Sequence, residues 1–297
     1  MTPRRIAAAL GCVLLAGCVP ATRTAEPPAP VAAPVVTAPA PPPTGPSTFV
    51  FAGELEQGGW LRGQVPAGAR DARLGEQVLI VDAQGRFFAG FDRDAGPNVV
   101  LSALMADGRT ITQPLTIRPR AWQIEHVDAA LRPPGTNEDF ARRRAPELAR
   151  IAAVRTVRSD SEGWRQSFVW PAPGRISGRF GAQRVYRGQP GSYHSGLDIA
   201  GGSGTPFVAP ADGVVVLAVE EPFTLEGRLL IVDHGQGLNS AFLHASSLAV
   251  REGQKVRQGD QLGTIGATGR ATGPHLHWGL VWQGARLDPL LFLPPRP

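Results

Sequence analysis

Apolar and polar residues alternate in short runs over residues 48–118. Runs such as 99–104 are separated by turn-forming pairs, among them Gln84-Gly85 and Asp107-Gly108. Alternation with a period of two predicts strands that bury one face, and a glycine-containing pair between two such runs predicts a hairpin. We therefore expect a small β-sandwich or barrel in this part of the chain.

The pattern changes to helical spacing between residues 119 and 167. The apolar positions there that follow one helical face are Phe140, Leu148, Ile151 and Val154. Asn137, followed by two acidic residues, is typical of a helix N-terminus. Pro146 lies inside the pattern and removes a backbone donor, so we expect two short helices or a kink. This region is predicted to be a helical connector.

Strands and turns return over residues 168–297. The segments 229–232 and 240–243 are apolar and are joined through the glycine-containing stretch 234–237, which predicts another strand pair. The fold class we expect is thus mainly β, with a small N-terminal β domain, a short helical connector and an all-β C-terminal domain.

The N-terminus has the pattern of a targeting segment. Arg4 and Arg5 precede an apolar run at 6–16 that is too short to span a bilayer but typical of a secretory signal peptide. The run ends in a Leu-Ala-Gly-Cys sequence at 15–18, which resembles the lipobox of bacterial lipoproteins. That resemblance implies cleavage of residues 1–17 and membrane attachment through a lipidated Cys18. Val19 in the next position favours an outer-membrane protein that faces the periplasm.

Residues 18–47 combine this cysteine with a Pro/Ala-rich tract. Such a composition cannot bury enough apolar surface to form a core. At about 3.1 Å per residue, an extended tract would reach roughly 80–90 Å. We interpret it as a tether that lets an anchored domain reach a substrate away from the lipid.

The charge of the chain indicates little about partners. The formal net charge is +5, it is carried almost entirely by arginine, and it is spread along the sequence. A nucleic-acid site usually concentrates basic residues on one face, often with aromatic residues between them. We expect no nucleic-acid partner.

Histidines are concentrated near the C-terminus, where five of the six lie between residues 194 and 277. Zinc prefers imidazole and carboxylate ligands that converge on one point, so we interpret this region as a zinc hydrolase site. His275 and His277 would share one face of a strand, and either or both could ligate. His234 precedes a glycine and is interpreted as a turn residue, whereas His126, far from the others, is expected to have a structural or surface role.

Several segments together resemble the M23 peptidase family, the LytM or lysostaphin-type zinc endopeptidases. They are His194-Ser195-Gly196-Leu197-Asp198, the glycine- and proline-spaced run 204–215, the run 253–259, and Gly269-x-x-Thr272-Gly273-Pro274-His275-Leu276-His277. The resemblance covers about residues 168–292. Family members usually have Tyr-x-His-Leu where this chain has Phe242-Leu243-His244-Ala245, so the histidine is kept and its neighbours differ.

The resemblance implies a complete catalytic site. Zinc would be held by His194, Asp198 and His277, with His244 and His275 as the catalytic pair. One of the pair would accept a proton from water and the other would stabilise the oxyanion or protonate the leaving amine; the sequence does not choose between them. The implied substrate is the peptide crosslink between peptidoglycan stem peptides.

Two alternatives compete with this hypothesis. A LytM-type regulator would bind cell wall or activate an amidase without hydrolysis, and a regulatory envelope protein would then be a partner; such relatives typically lack some ligands, whereas all five positions are present here. A biotinyl- or lipoyl-type carrier hairpin at 253–263 would need a modifiable lysine at its tip, and Lys255 is not at that position.

Overall fold

The computed structural model describes residues 44–131 and 138–296, all of which belong to one compact unit, Pro43–Pro297. The predicted signal peptide, Cys18, most of the tether and Asn137 lie outside the described residues. None of the helices in the described segments is both long enough and apolar enough to cross a lipid bilayer.

Residues 48–118 are built from antiparallel strands, as the alternating pattern predicted. These strands are β1 (Val50–Glu54), β2 (Trp60–Gln64), β3 (Ala69–Leu74), β4 (Gln77–Val78), β5 (Arg86–Gly90), β6 (Asn98–Met105) and β7 (Thr110–Thr116). A further strand, β8 (Ile124–Val127), lies in the region that was predicted to be a helical connector, so that prediction is wrong for residues 124–127. The order is β1-β2-β5 in one sheet and β4-β3-β6-β7 in a second. Both sheets bury residues such as Leu61, Phe87 and Leu101 in one core.

The turn at Asp107-Gly108 joins β6 to β7, so the predicted hairpin is confirmed. Gly108 has a φ of +86°, a conformation that glycine adopts without a steric cost. Gln84-Gly85 forms a second tight turn, between the bridge partners Val81 and Phe87.

In the described part of the connector region, one α-helix, α1 (Glu138–Val154), is followed by a short 3₁₀ helix at Gly163–Arg165. The expected division into two short helices is wrong, because α1 continues through Pro146, whereas the alternative expectation of a kink there stays a prediction. Proline removes one backbone hydrogen bond and costs about 3 kcal/mol in a helix interior. Ile151 packs into a cluster with Leu217 and Leu229, and this tertiary contact helps to offset the cost.

The C-terminal region is again built from strands, apart from a short 3₁₀ helix at Pro289–Phe292. Its strands are β9 (Ile176–Gly178), β10 (Gln183–Tyr186), β11 (Gln189–Pro190), β12 (Leu197–Ala200), β13 (Pro206–Val208), β14 (Gly213–Ala218), β15 (Arg228–Asp233), β16 (Leu238–Ala245), β17 (Ser247–Leu248), β18 (Lys255–Val256), β19 (Gln261–Thr264), β20 (His275–Trp282) and β21 (Ala285–Leu287). The predicted pair at 229–243 is β15 and β16, which are antiparallel neighbours.

The main sheet has the order β18-β14-β15-β16-β20-β12-β9, with β21 paired to β20, and a smaller sheet has the order β13-β19-β17. Between these two sheets lies an aromatic core, in which the ring of Trp278 is stacked with the rings of Phe168 and Phe242. Strand β12, which carries Asp198, is hydrogen-bonded on both sides, to β20 and to β9, and is therefore held in place.

The N- and C-terminal regions share contacts. Strand β8 pairs in parallel with β10, and Trp60 of β2 packs against Phe292 near the C-terminus. Arg120 forms an ion pair of 2.9 Å with the buried Asp288. The predicted domain boundaries after residues 118 and 167 stay predictions, since one hydrophobic core includes residues from both regions.

Candidate metal centre

Three of the predicted site residues converge at the end of the main sheet. Asp198 on β12 and His277 on β20 are direct cross-strand partners, so their side chains lie on the same face. His194 lies in the loop before β12. Two backbone hydrogen bonds hold that loop: the His194 N–H donates to the Ala182 carbonyl, and the Gly181 N–H donates to the His194 carbonyl, both at 2.8 Å.

The potential ligand atoms of these residues are close together. Asp198 Oδ1 is 3.0 Å from His194 Nε2 and 2.9 Å from His277 Nδ1, and the two nitrogens are 3.1 Å apart. Zinc bonds of about 2.0–2.1 Å in a tetrahedron place neighbouring ligand atoms roughly 3.3 Å apart. The three residues therefore fit the geometry and the ligand chemistry of a zinc site.

The second ring nitrogen of His194 supports this arrangement. His194 Nδ1 lies 3.0 Å from the Arg179 carbonyl, which can only accept a hydrogen bond. A neutral His194 thus carries its proton on Nδ1 and turns the lone pair of Nε2 towards Asp198 Oδ1. A cation between the two atoms would stabilise this contact.

Two glycines leave room for the ligands. A Cβ at Gly178 would lie 2.4 Å from Asp198 Oδ2, and a Cβ at Gly196 would lie 2.7 Å from His277 Nε2. Any larger residue at either position would displace a ligand side chain.

Electrostatics in this cluster keep Asp198 ionised. Burial would raise its pKa, but in the metal-free protein the contacts with His194 and His277, in which a protonated ring can donate a hydrogen bond to the carboxylate, outweigh burial and lower the pKa well below its usual range. Burial also disfavours a positive charge on His194 and His277. At His194 the contacts with Asp198 outweigh burial, and the pKa is raised. At the more buried His277 the effect of burial is larger, and the pKa is lowered.

His244 and His275 lie beside the cluster, with ring centroids 5.0 Å apart. His275 Nε2 is 3.8 Å from Asp198 Oδ1, and the His244 ring is centred 6.3 Å from that of His277. Their Nδ1 atoms face backbone carbonyls, that of Thr268 at 2.9 Å for His244 and that of Gly273 at 2.8 Å for His275. Neutral forms of both rings therefore leave Nε2 as an acceptor.

Burial lowers the pKa of His244 to about 4, so its imidazole is neutral at pH 7. A neutral imidazole can accept a proton, which is the property that a general base needs.

A groove of about 960 Å³ leads to His194 and Asp198. Its walls include Tyr193 and the arginines Arg179 and Arg270, none of which the motifs had indicated as site residues. The glycine spacing around Arg179 was visible in the sequence, but only the folded chain shows that its carbonyl contacts His194.

The remaining histidines lie elsewhere. His126 is exposed on β8. His234 follows β15 and is fully buried, with Nδ1 2.7 Å from the Asp212 carbonyl and Nε2 2.7 Å from Ser240 Oγ. It is a core residue whose ring links the Asp212 backbone to the Ser240 side chain, not simply a turn residue. Lys255 lies in β18 and pairs with Asp160 at 3.2 Å.

Residues 192–289 match the family model of peptidase family M23. This part of the chain is an M23 domain. Related proteins include the peptidoglycan DD-endopeptidase ShyA of Vibrio cholerae, which is 40% identical over 114 residues, or 37% of this chain and 25% of ShyA. The murein hydrolase activator NlpD of Escherichia coli is 35% identical over 133 residues, or 45% of this chain and 32% of NlpD.

The chain thus spans about a quarter to a third of the length of these two relatives. Among solved structures, a putative M23 peptidase from Pseudomonas aeruginosa is 28% identical, with a TM-score of 0.62 over 80% of this chain and 94% of that chain. This similarity extends beyond the M23 domain into the N-terminal β region and confirms the predicted fold class.

Proposed function

We propose that the protein is a zinc-dependent endopeptidase that hydrolyses peptide crosslinks of peptidoglycan at the cell envelope. The observation that carries the proposal is that the potential ligand atoms of His194, Asp198 and His277 lie within 3.1 Å of one another. The rings of His244 and His275 lie beside them. A bound zinc ion would polarise the scissile carbonyl and lower the pKa of its water.

In this proposal His194, Asp198 and His277 hold the metal, and the two other histidines handle protons. Because Nδ1 of His244 and of His275 is at hydrogen-bonding distance from a carbonyl, Nε2 of each ring is free to accept a proton from the attacking water. The second ring, when it carries at Nε2 a proton taken from solvent, can donate a hydrogen bond to the developing oxyanion or give that proton to the leaving amine, and the first ring returns the proton of the attacking water to solvent.

The envelope location is part of the proposal. It is supported by the relatives, which include a peptidoglycan endopeptidase and a murein hydrolase activator, and by the predicted lipidation of Cys18. The tether would allow an outer-membrane-anchored domain to reach the cell wall from the periplasmic side.

A second candidate function is activation of another wall hydrolase without catalysis, because relatives named murein hydrolase activators match 45% of the chain. A regulatory envelope protein would then be the partner. The presence of all five site residues in a common geometry favours hydrolysis.

The test compares three histidine variants by metal analysis and by mass spectrometry of muropeptides after digestion of purified peptidoglycan. His277→Ala is expected to lose zinc and hydrolysis together, since it removes a ligand. His244→Ala is expected to keep zinc and to lose hydrolysis by about 10²-fold or more. His126→Ala, an exposed histidine on β8, is the control and should match the wild type.

Wild-type protein that binds zinc stoichiometrically and releases no fragment from crosslinked muropeptides would refute the endopeptidase. Stimulation of a purified amidase by that same protein would establish the second candidate.

A further inference from the structure

His244 has an unusual backbone conformation. Its φ is +65°, in the left-handed region that side chains with a Cβ seldom adopt. The pairing of β15 with β16 shifts register between Arg228 and Leu230, close to where His244 lies on β16. Such a conformation persists only where neighbouring groups hold it.

Two hydrogen bonds hold His244. Its backbone N–H donates to the Glu226 carbonyl at 2.9 Å, and its ring Nδ1 donates to the Thr268 carbonyl at 2.9 Å. Glu226 belongs to the loop between β14 and β15, and Thr268 to the loop between β19 and β20. The direction of the His244 ring therefore depends on where these two loops lie.

The two loops are packed on each other. The Arg270 N–H donates to the Leu225 carbonyl at 2.9 Å, and the Arg228 N–H donates to Thr268 Oγ1 at 2.9 Å. Gly227 lies so close that a Cβ there would be 2.3 Å from the Thr268 carbonyl oxygen. A shift of the Glu226 loop would consequently move the Thr268 loop as well.

Helix α1 fixes the Glu226 loop from the other side. The Arg144 guanidinium donates to both carboxylate oxygens of Glu226, at 2.5 and 2.7 Å. Glu147 accepts hydrogen bonds from the Thr224 backbone N–H at 2.8 Å and from the Thr224 hydroxyl at 2.5 Å, and it also pairs with Arg144 at 3.1 Å. The Arg144, Glu147 and Glu226 side chains are 10–16% exposed. Two-pronged pairs of this kind fix direction as well as distance.

We infer that Arg144 and Glu147 of α1 are positioning residues for His244, acting through the Glu226 loop. The inference rests on the proposed function, in which His244 handles a proton. It places part of the catalytic machinery in the connector helix, outside residues 192–289 that match the M23 family. Neither residue contacts the metal ligands in this scheme.

The experiment uses the full chain with Arg144→Gln, and with Arg150→Gln as matched control. Arg150 lies on the same helix and pairs with Glu252 at 2.6 Å, and Glu252 accepts a hydrogen bond from the backbone N–H of Ala218, at the end of β14. Arg144→Gln should lower kcat about 10-fold or more, because small misplacements of a catalytic group are costly. KM should change less than about 2-fold and zinc content not at all.

Backbone hydrogen exchange supplies a readout that needs no activity. The His244 amide should exchange faster in Arg144→Gln than in the wild type and remain unchanged in Arg150→Gln, because only the first variant loosens its acceptor. Glu226→Gln should behave like Arg144→Gln, and the double variant should lose no more than either single variant. Arg144→Lys keeps the charge but not the two-pronged contact and should recover part of kcat.

The outcomes separate the two proposals. If Arg144→Gln matches the wild type in both kcat and His244 exchange, or if it loses zinc together with activity, the positioning role is wrong. If the wild type hydrolyses nothing while exchange at His244 still rises only in Arg144→Gln, the positioning role stands and the proposed endopeptidase falls. Should Arg144→Gln fail to fold, Arg144→Lys and Glu226→Gln carry the same comparison.

Discussion

Gly178→Ala should weaken the metal site with little effect on the fold. Gly178 on β9 is the cross-strand partner of Asp198 on β12. An added Cβ would lie 2.4 Å from Asp198 Oδ2, 3.0 Å from its Cγ and 3.2 Å from its Cβ, whereas ordinary contacts begin at 3.4 Å. Rotation of the carboxyl group cannot relieve all three contacts, so the aspartate must move by up to about 1 Å.

Metal–ligand distances in a well-formed site lie within about 0.2 Å of their usual values. Loss of a supporting contact typically weakens metal affinity 10- to 100-fold, and we expect at least that from a displaced ligand, or about 1.4–2.7 kcal/mol. The assay is competition for zinc with a chromophoric chelator at pH 7. Thermal unfolding of the metal-free protein should change little, because Gly178 does not have a positive φ that alanine would resist.

Gly202→Ala is the matched control, since its Cβ would meet nothing closer than Thr205 Oγ1 at 3.8 Å. A Gly178→Ala protein that binds zinc as tightly as Gly202→Ala and the wild type would contradict this prediction. Equal weakening of zinc binding in both alanine variants would also contradict it, because the loss would then not come from contact with Asp198.

Two further predictions concern charge. Arg179 and Arg270 line the groove and form no close ion pair with the described residues, although the charge of Arg179 acts on the buried Asp288. Replacing either arginine by alanine should therefore raise KM for carboxylate-bearing stem peptides about 10-fold. Arg184→Ala, in the same groove but paired with Glu125 at 2.7 Å, is the control and should change KM little. Burial lowers the pKa of His234. Below about pH 6.5 the unfolded chain therefore binds a proton at this histidine that the folded chain does not. As the pH falls further, the free energy of unfolding decreases by up to about 1.4 kcal/mol per pH unit. Urea unfolding of metal-free protein between pH 7 and 5 should show a shallower pH dependence for His234→Gln; equal slopes in variant and wild type would contradict this.

The sequence by itself determined the local structure. Alternation of apolar residues predicted strands over residues 48–118, and the Asp107-Gly108 pair predicted a hairpin, because both signals arise within a few residues of chain. A period of two also placed His275 and His277 on one face of β20, whatever the strand's neighbours. The local pattern did not determine which of these two histidines lies within ligand distance of Asp198.

Only the tertiary structure decided which side chains meet. Asp198 faces His277 because β12 pairs with β20 in one register, and a shift by a single residue would turn Asp198 to the opposite face. The continuity of α1 through Pro146, the burial of His234 and the contacts that hold His244 all depend on residues far away in sequence. Packing between distant segments sets these features, and a local residue pattern carries no information about which distant segment will be the neighbour.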